Sequence, residues 1–278
     1  ESKKRLIRFV KRLNKKAVPK AIIANADDRN FKHLKTDSFN SISYGISQKA
    51  DVAAKSIKLS ESGNCFKLVT GKWETEINSR LPALFNVYNC LAAASVGVLL
   101  GIDKKTIKRG IEKVTNVSGR MEKIPFKKGA RVIVDFAHTP ESLENVLRFF
   151  RCLTKNRLIT VFGCGGNSTV KKRMLMGKVA SKYSDIIYLT SENPYYENSL
   201  KILKDIEKGM PKKVLQHKKC IKVVGRKNAI KAALLNARKG DTVVIAGKGH
   251  EKYIHMQGKK IPADDKEAVT SAIKALGG

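Results

Sequence analysis

Five short apolar runs alternate with amphipathic stretches along the second half of the chain. The runs lie at 131–134, 158–162, 186–189, 221–224 and 242–246, with helical spacing between them at about 139–152, 171–183, 199–208 and 226–238. Buried strands alternating with helices predict an α/β fold, a Rossmann-like doubly wound and mostly parallel sheet. A last strand near 253–256 and a helix near 265–276 are expected to close it. The first half reads differently. A short apolar run at 21–24 stops at a polar loop, and residues 42–80 alternate between apolar and polar positions with turns at Ser62-Gly63 and Gly71. That pattern predicts antiparallel hairpins with one wet face. Residues 86–100 are apolar nearly all round and predict a buried helix. A second helix over 103–114 starts at Asp103 as N-cap. The boundary falls near Val117-Ser-Gly-Arg120, giving units of 1–118 and 119–278.

Composition narrows the class. With 278 residues, 42% apolar and 29% charged, the chain has enough apolar side chains for packed cores. The longest apolar run, 90–102, is too short to span a bilayer. The charged start, Glu1-Ser-Lys-Lys-Arg-Leu, has no apolar stretch of the secretory kind. Five cysteines, at 65, 90, 152, 164 and 220, form no C-x-x-C pair. A reducing, cytoplasmic setting is the expectation. A net charge of +32 raises nucleic acid as a partner. However, 42 lysines against 14 arginines, spread along the chain without aromatic interleaving, argue against it.

Ligands of open α/β sheets sit at the carboxyl ends of strands, and here each of four strands ends in a polar loop. The first ends in Asp135-Phe-Ala-His138-Thr-Pro140, a carboxylate and an imidazole suited to a metal, ribose or phosphate, or equally to an N-cap and a satisfied histidine. The second ends in Gly163-Cys-Gly-Gly166-Asn-Ser168, a turn open enough for backbone amides to approach an anion. It is not a Walker A loop. The others end in Thr190-Ser-Glu192-Asn193-Pro194-Tyr195 and Gly247-Lys-Gly-His250-Glu251. Their convergence on one edge points to a composite binding site.

Taken in order with Asn25-Ala-Asp-Asp28, Phe85-Asn-Val-Tyr-Asn89 and Gly119-Arg-Met-Glu122, these strings make the sequence resemble the Mur ligases of the MurE type. The resemblance runs over essentially the whole chain. It implies an ATP-dependent amide ligase of peptidoglycan precursor synthesis, acting in the cytoplasm with Mg²⁺. Such an enzyme activates the D-glutamyl carboxylate of UDP-MurNAc-L-Ala-D-Glu as an acyl phosphate and joins it to a diamino acid, meso-diaminopimelate or L-lysine. It further implies that residues 1–118 are the second half of the central ATPase domain and 119–278 the C-terminal Rossmann-like domain. The UDP-binding domain and phosphate loop are then expected outside this sequence, in a missing N-terminal half or a full-length parent. A fragment of that kind is not expected to hydrolyse ATP by itself. The alternative is a non-catalytic binding module derived from such a ligase.

The resemblance also assigns residues. Lys3, with Leu6 and Ile7, matches a lysine that is carbamylated and ligates Mg²⁺. Asn86 and Asn89 match asparagines that face the nucleotide. Arg120 and Asp135, with His138 beside them, match residues that reach ATP. Gly247 and Glu251 match groups holding the amino end of the diamino acid, and a carbonyl and a carboxylate suit an ammonium. Ser168, Glu192, Asn193, Pro194 and Tyr195 fall on the rest of that pocket. Two departures stand out. Ser168 and Tyr195 stand where the family carries arginines that grip the distal carboxylate, and neither replaces a guanidinium. Lysine addition, relaxed specificity or lost activity follows as an expectation. Ala83 stands where glycine is usual.

Overall fold

The computed structural model describes residues 2–12, 20–33, 40–216 and 219–277, apart from the side chains of residues 2, 3, 4, 6 and 11. The chain divides into two compact units, Glu1–Asn116 and Val117–Gly278.

The first unit opens with helix α1 (Ser2–Arg12). A five-stranded sheet follows, in spatial order β1 (Ala21–Asn25), β2 (Asn40–Gly45), β3 (Val52–Leu59), β4 (Asn64–Thr70) and β5 (Glu74–Ser79). Strands β3, β4 and β5 form the expected antiparallel meander. The pairings of β2 with β1 and with β3 are parallel, so the hairpin expectation fails for the start of 42–80. The cause is local. Residues 46–48 wrap around the Asp27 carboxylate, which accepts the amides of Ile46 at 2.7 Å and Gln48 at 2.7 Å. No tight turn forms there, and β2 meets β3 only through Tyr44↔Val52 and Gly45↔Ala53.

Helix α2 (Leu84–Leu99) lies on this sheet, followed by α3 (Lys104–Lys113). Val87, Leu91 and Ala94, at helical spacing, pack with Val52, Phe66, Leu68 and Ile77 of the sheet and Ile107 and Ile111 of α3. The expectation that α2 is buried all round is corrected: Leu84 and Val96 on it are exposed, so only one face enters the core. Asp103 caps α3 as expected, accepting the Thr106 amide at 3.0 Å.

The second unit is an α/β sandwich. Its main sheet uses β6 (Glu122–Ile124), β7 (Arg131–Asp135), β8 (Leu158–Phe162), β9 (Ile186–Leu189), β10 (Cys220–Lys222) and β11 (Thr242–Ala246). The order is β10-β9-β8-β11-β7-β6. All pairs are parallel except β6 with β7. The connecting helices are α4 (Pro140–Leu153), α5 (Val170–Tyr183), α6 (Ser199–Glu207), the short α7 (Lys212–Gln216) and α8 (Arg226–Asn236). Beyond the sheet come the hairpin β12 (Tyr253–Met256) and β13 (Lys259–Pro262), then α9 (Asp265–Ala275). The final strand near 253–256 therefore belongs to a separate two-stranded hairpin, not to the main sheet. Gln257-Gly258 reverses the chain there, with both residues at positive φ.

Strand residues alternate between two cores. Val132, Val134, Ile159, Val161, Val243 and Ile245 pack with Ala229, Ile230, Ala233 and Leu234 of α8 and Val269 and Ile273 of α9. The intervening Ile133, Leu158, Phe162 and Val244 are also fully buried, on the opposite face. Burial on both faces is why these strands read as unbroken apolar runs. Because β7, β8, β9 and β11 are parallel, their polar ends emerge at one edge.

Candidate functional site

At the end of β7, Asp135 is buried, and both carboxylate oxygens are committed. Oδ2 accepts the Met121 amide at 2.8 Å and Oδ1 the Ala137 amide at 2.7 Å. Burial pushes its carboxyl above the ordinary value, opposed by those amides and by the charge of Arg120. Asp135 thus fastens the turn at 119–121 to the loop at 136–138. Gly119 is obligatory there: at φ 66°, a Cβ would lie 2.2 Å from the His250 amide nitrogen. The exposed Arg120 guanidinium rests 4.6 Å from the Phe136 ring centroid. His138 Nδ1 lies 2.9 Å from the Phe136 carbonyl oxygen, which leaves Nε2 outward. Thr139 and Pro140 then start α4 with a capping box.

The glycines after β8 serve close packing. A Cβ on Gly163 would meet the Thr190 carbonyl oxygen at 2.1 Å, and one on Gly166 the Pro194 carbonyl oxygen at 2.0 Å. The Gly166 amide donates to the Asn193 carbonyl at 2.9 Å and the Ser168 amide to Gly165 at 3.2 Å. These two amides are therefore not available to an anion. Beneath the turn lies the buried guanidinium of Arg173. It donates to the Gly166 carbonyl at 2.8 Å and to both oxygens of Glu197 at 2.6 Å.

Three polar side chains from the last two loops form one network. Lys248 is fully buried, and its ammonium donates to Glu251 Oε2 at 2.9 Å and to the Tyr253 carbonyl at 2.6 Å. Asn193 Nδ2 donates to the same Glu251 oxygen at 3.0 Å, while Asn193 Oδ1 accepts the His255 amide at 3.0 Å. Burial opposes ionisation of Glu251, but the bonds from Lys248 and Asn193 outweigh it and hold the carboxyl below its ordinary value. Tyr195 sits at φ 53°, donates its amide to the His255 carbonyl at 2.9 Å and stacks on the His255 ring. Pro194 is buried between these loops.

Glu192 differs from its neighbours. It is 9% exposed and makes no hydrogen bond or ion pair among the described residues. Burial pushes its carboxyl up to about 7, against the opposing pull of Arg226, Lys172 and Lys248. Two glycines leave room for its oxygens: a Cβ on Gly247 would lie 3.2 Å from Oε2 and one on Gly165 3.9 Å from Oε1. Among the described residues the fully buried side-chain atoms without a hydrogen-bond partner are Asn64 Oδ1 and Arg173 Nε, so the Glu192 oxygens, enclosed as the residue is, keep access to solvent or a ligand.

Sequence reasoning passed over Lys248 and Arg226, two fully enclosed cations. Arg226 pairs with Asp265 through two bonds of 2.6 Å and donates to the Ala246 carbonyl at 2.9 Å, fixing the end of β11. A lysine between two glycines was the available signal for Lys248. Arg226 offered none, since a basic residue opening a helix reads as solvated.

In the first unit, Asn86 and Asn89 fall in the first two turns of α2. Asn86 Nδ2 donates to the Pro82 carbonyl at 2.6 Å and its Oδ1 accepts from Asn89 at 3.0 Å, so Asn86 is spent on its own loop, whereas Asn89 is exposed. Ala83, just before α2, is buried at φ 72° and ψ 151°, a region natural to glycine. Lys3 lies on α1, but its side chain is outside the described residues. No three His, Cys, Asp or Glu side chains among the described residues come together as metal ligands.

Comparison with known proteins agrees with this layout. The family described as Mur ligase middle domain matches residues 1–97, and the Mur ligase glutamate ligase domain matches 119–249. UDP-N-acetylmuramoyl-L-alanyl-D-glutamate–2,6-diaminopimelate ligase of Bacillus licheniformis is 42% identical over 259 residues, 93% of this chain and 52% of its own length. The same ligase of Clostridioides difficile is 40% identical over 260 residues, 92% and 53%. A solved structure of a UDP-N-acetylmuramoyl-L-alanyl-D-glutamate–2,6-diaminopimelate ligase superposes with a TM-score of 0.57 at 32% identity, covering 93% of this chain and 54% of that one. The chain spans about half the length of the curated relatives it matches. Matched in order by a middle domain and then a glutamate ligase domain, the chain belongs to the Mur ligase family.

Proposed function

We propose that this chain is the amino-acid-accepting part of an ATP-dependent ligase that joins a diamino acid to UDP-MurNAc-L-Ala-D-Glu. The observation that carries the reading is Glu192, a largely enclosed carboxylate that takes no hydrogen bond from the described residues yet stays accessible, set beside a Glu251 that Lys248 and Asn193 hold ionised. An ammonium group satisfies the first and shares the second. The relatives named as diaminopimelate ligases support the substrate class.

The chain's residues then divide the work. Glu192 and Glu251 hold the amino end against the open backbone at Gly247. Asn193 and Pro194 fix the wall of the pocket, and Tyr195 ties that wall to β12. Bound ATP with Mg²⁺ supplies the phosphoryl group that turns a poor electrophile, the D-glutamyl carboxylate, into an acyl phosphate. The exposed Arg120 guanidinium and His138 Nε2 fit a phosphate chain, with Asp135 positioning both loops and not itself touching the nucleotide. Asn89, exposed while its Nδ2 donates to Asn86, can turn its Oδ1 to a nucleotide, and Asn86 holds its loop. The carbamate–Mg²⁺ role of Lys3 is supported by sequence alone, and no step is routed through it.

Calorimetric titration of the 278-residue chain with meso-diaminopimelate tests the reading. Binding is expected, with Glu192→Ala abolishing it. Unchanged binding by Glu192→Ala, or none by the parent chain, overturns it.

A further inference from the structure

The outward faces of α5 and α6 share one composition. Every exposed position on α5 is a lysine or a large apolar residue: Val170, Lys171, Met174, Leu175, Lys178 and Lys182. At helical spacing these fall on one stripe. The same holds on α6, where Leu200, Lys201 and Lys204 are exposed, with Lys208 following at the C-cap. The two stripes adjoin. The buried Arg173 guanidinium of α5 donates to Asp205 of α6 at 3.1 Å, and Gly209, beside Lys208, packs on the Met174 carbonyl. The other long helices of this unit differ: α4 and α9 expose no large apolar residue, and α8 exposes Leu235 alone. Soluble surfaces interleave both signs of charge, but here the acids are already engaged. Glu197 and Asp205 pair with Arg173, Asp205 also with Lys208, and Glu144 with Lys182. The ammonium groups of Lys171, Lys178, Lys201 and Lys204 make no ion pair among the described residues.

We infer that this face docks on the surface of a bilayer carrying acidic phospholipids. The lysines supply charge to the lipid phosphates, and Val170, Met174, Leu175 and Leu200 enter the boundary between headgroups and acyl chains. The lysine stems lie along that boundary while their ammonium groups stay in water. Charge and apolar insertion act together, since a single weak anchor gives only marginal attachment. The contact is peripheral: among the described residues no helix is long and apolar enough to cross a membrane. Nucleic acid fits the face less well. Its phosphates and base edges favour the planar fork of arginine. The one arginine on these two helices, Arg173, is sealed beneath the glycine turn, and four exposed apolar side chains would face a charged backbone.

The test is co-sedimentation of the 278-residue chain, at physiological ionic strength, with vesicles of phosphatidylglycerol and phosphatidylcholine in equal parts and with vesicles of phosphatidylcholine alone. The acidic vesicles are expected to bind at least ~10-fold more tightly. Lys171→Glu, Lys178→Glu, Lys201→Glu and Lys204→Glu together should weaken that binding by at least ~100-fold. The same change of charge on the other side of the sheet, Lys227→Glu, Lys231→Glu, Lys239→Glu and Lys274→Glu, should alter it by less than about 3-fold. Met174→Ser with Leu175→Ser should weaken it by about 10-fold. All these side chains are exposed, and thermal unfolding of each variant shows that the fold is kept. Equal binding to both vesicle types overturns the inference, as does an equal loss in the two fourfold variants. Acidic vesicles bound unchanged by the double serine variant would remove the apolar contribution and overturn it too. Duplex DNA bound more tightly than the vesicles, through the same four lysines, would assign the face to nucleic acid instead.

Discussion

The Asp135 carboxylate receives the Met121 amide at 2.8 Å, across fourteen residues of sequence, and so decides where Arg120 stands. Its other oxygen takes the Ala137 amide, so each carboxylate oxygen anchors one backbone donor. Asp135→Asn puts an amide group where two N–H donors converge, so one of them loses its acceptor. The expected cost is about 1–3 kcal/mol in chemical denaturation. The Arg120 turn should loosen with it, read as faster amide exchange at Met121. Unaltered exchange there would contradict the positioning role.

Ala83 offers the opposite case. Its φ of 72° with ψ of 151° costs an L-residue about 1–3 kcal/mol, and glycine removes that cost. Against this stands only the greater freedom of glycine in the unfolded chain, about 0.4–1 kcal/mol. Ala83→Gly should raise the urea midpoint. A lower midpoint would show that the methyl contributes packing that outweighs the backbone strain.

Glu192 makes stability depend on pH. Its folded-state value of about 7 lies above the ordinary 4.5, so the fold favours the protonated form. The contribution is complete below about 4.5 and is lost as pH rises through about 7. Glu192→Gln should be nearly neutral at low pH and stabilising near pH 9 by up to roughly 3 kcal/mol. Denaturation midpoints across that range check it; parallel curves for the two proteins would refute it.

Gly166→Ala drives a methyl onto the Pro194 carbonyl, backbone against backbone. Overpacking of this kind typically costs about 1–3 kcal/mol. Because the Gly166 amide also holds the Asn193 carbonyl, the variant should lose amino-acid affinity as well as stability. Titration and thermal melting on one sample would separate the two losses.

The sheet of the second unit was legible because strands buried on both faces, such as Val243-Val244-Ile245, leave an unmistakable run between amphipathic helices. Strand β6 was not: Glu122, Lys123 and Ile124 pair along the β7 edge through backbone bonds that ask little of side chains. The loops at Asp135, Glu192 and Glu251 were visible as polar residues at strand ends. What each one does was not visible, because that depends on partners far along the chain. Asp135 turned out to be fastened to Met121, and Glu251 to Lys248 and Asn193. Glu192 has no such partner, and no local pattern distinguishes it from them.

Adjacent residues on α5 have opposite duties. Arg173 is sealed beneath the glycine turn, gripping Glu197, Asp205 and two backbone carbonyls, while the ammonium of Lys172 beside it makes one hydrogen bond among the described residues, to a serine hydroxyl. The side chain that shapes the turn is therefore distinct from the one at its rim. Substitutions at 168 or 172 leave the buried arginine that shapes the turn with all its partners. The rim of the turn can therefore drift in sequence while the charge cluster beneath it stays fixed, because the indispensable guanidinium lies underneath.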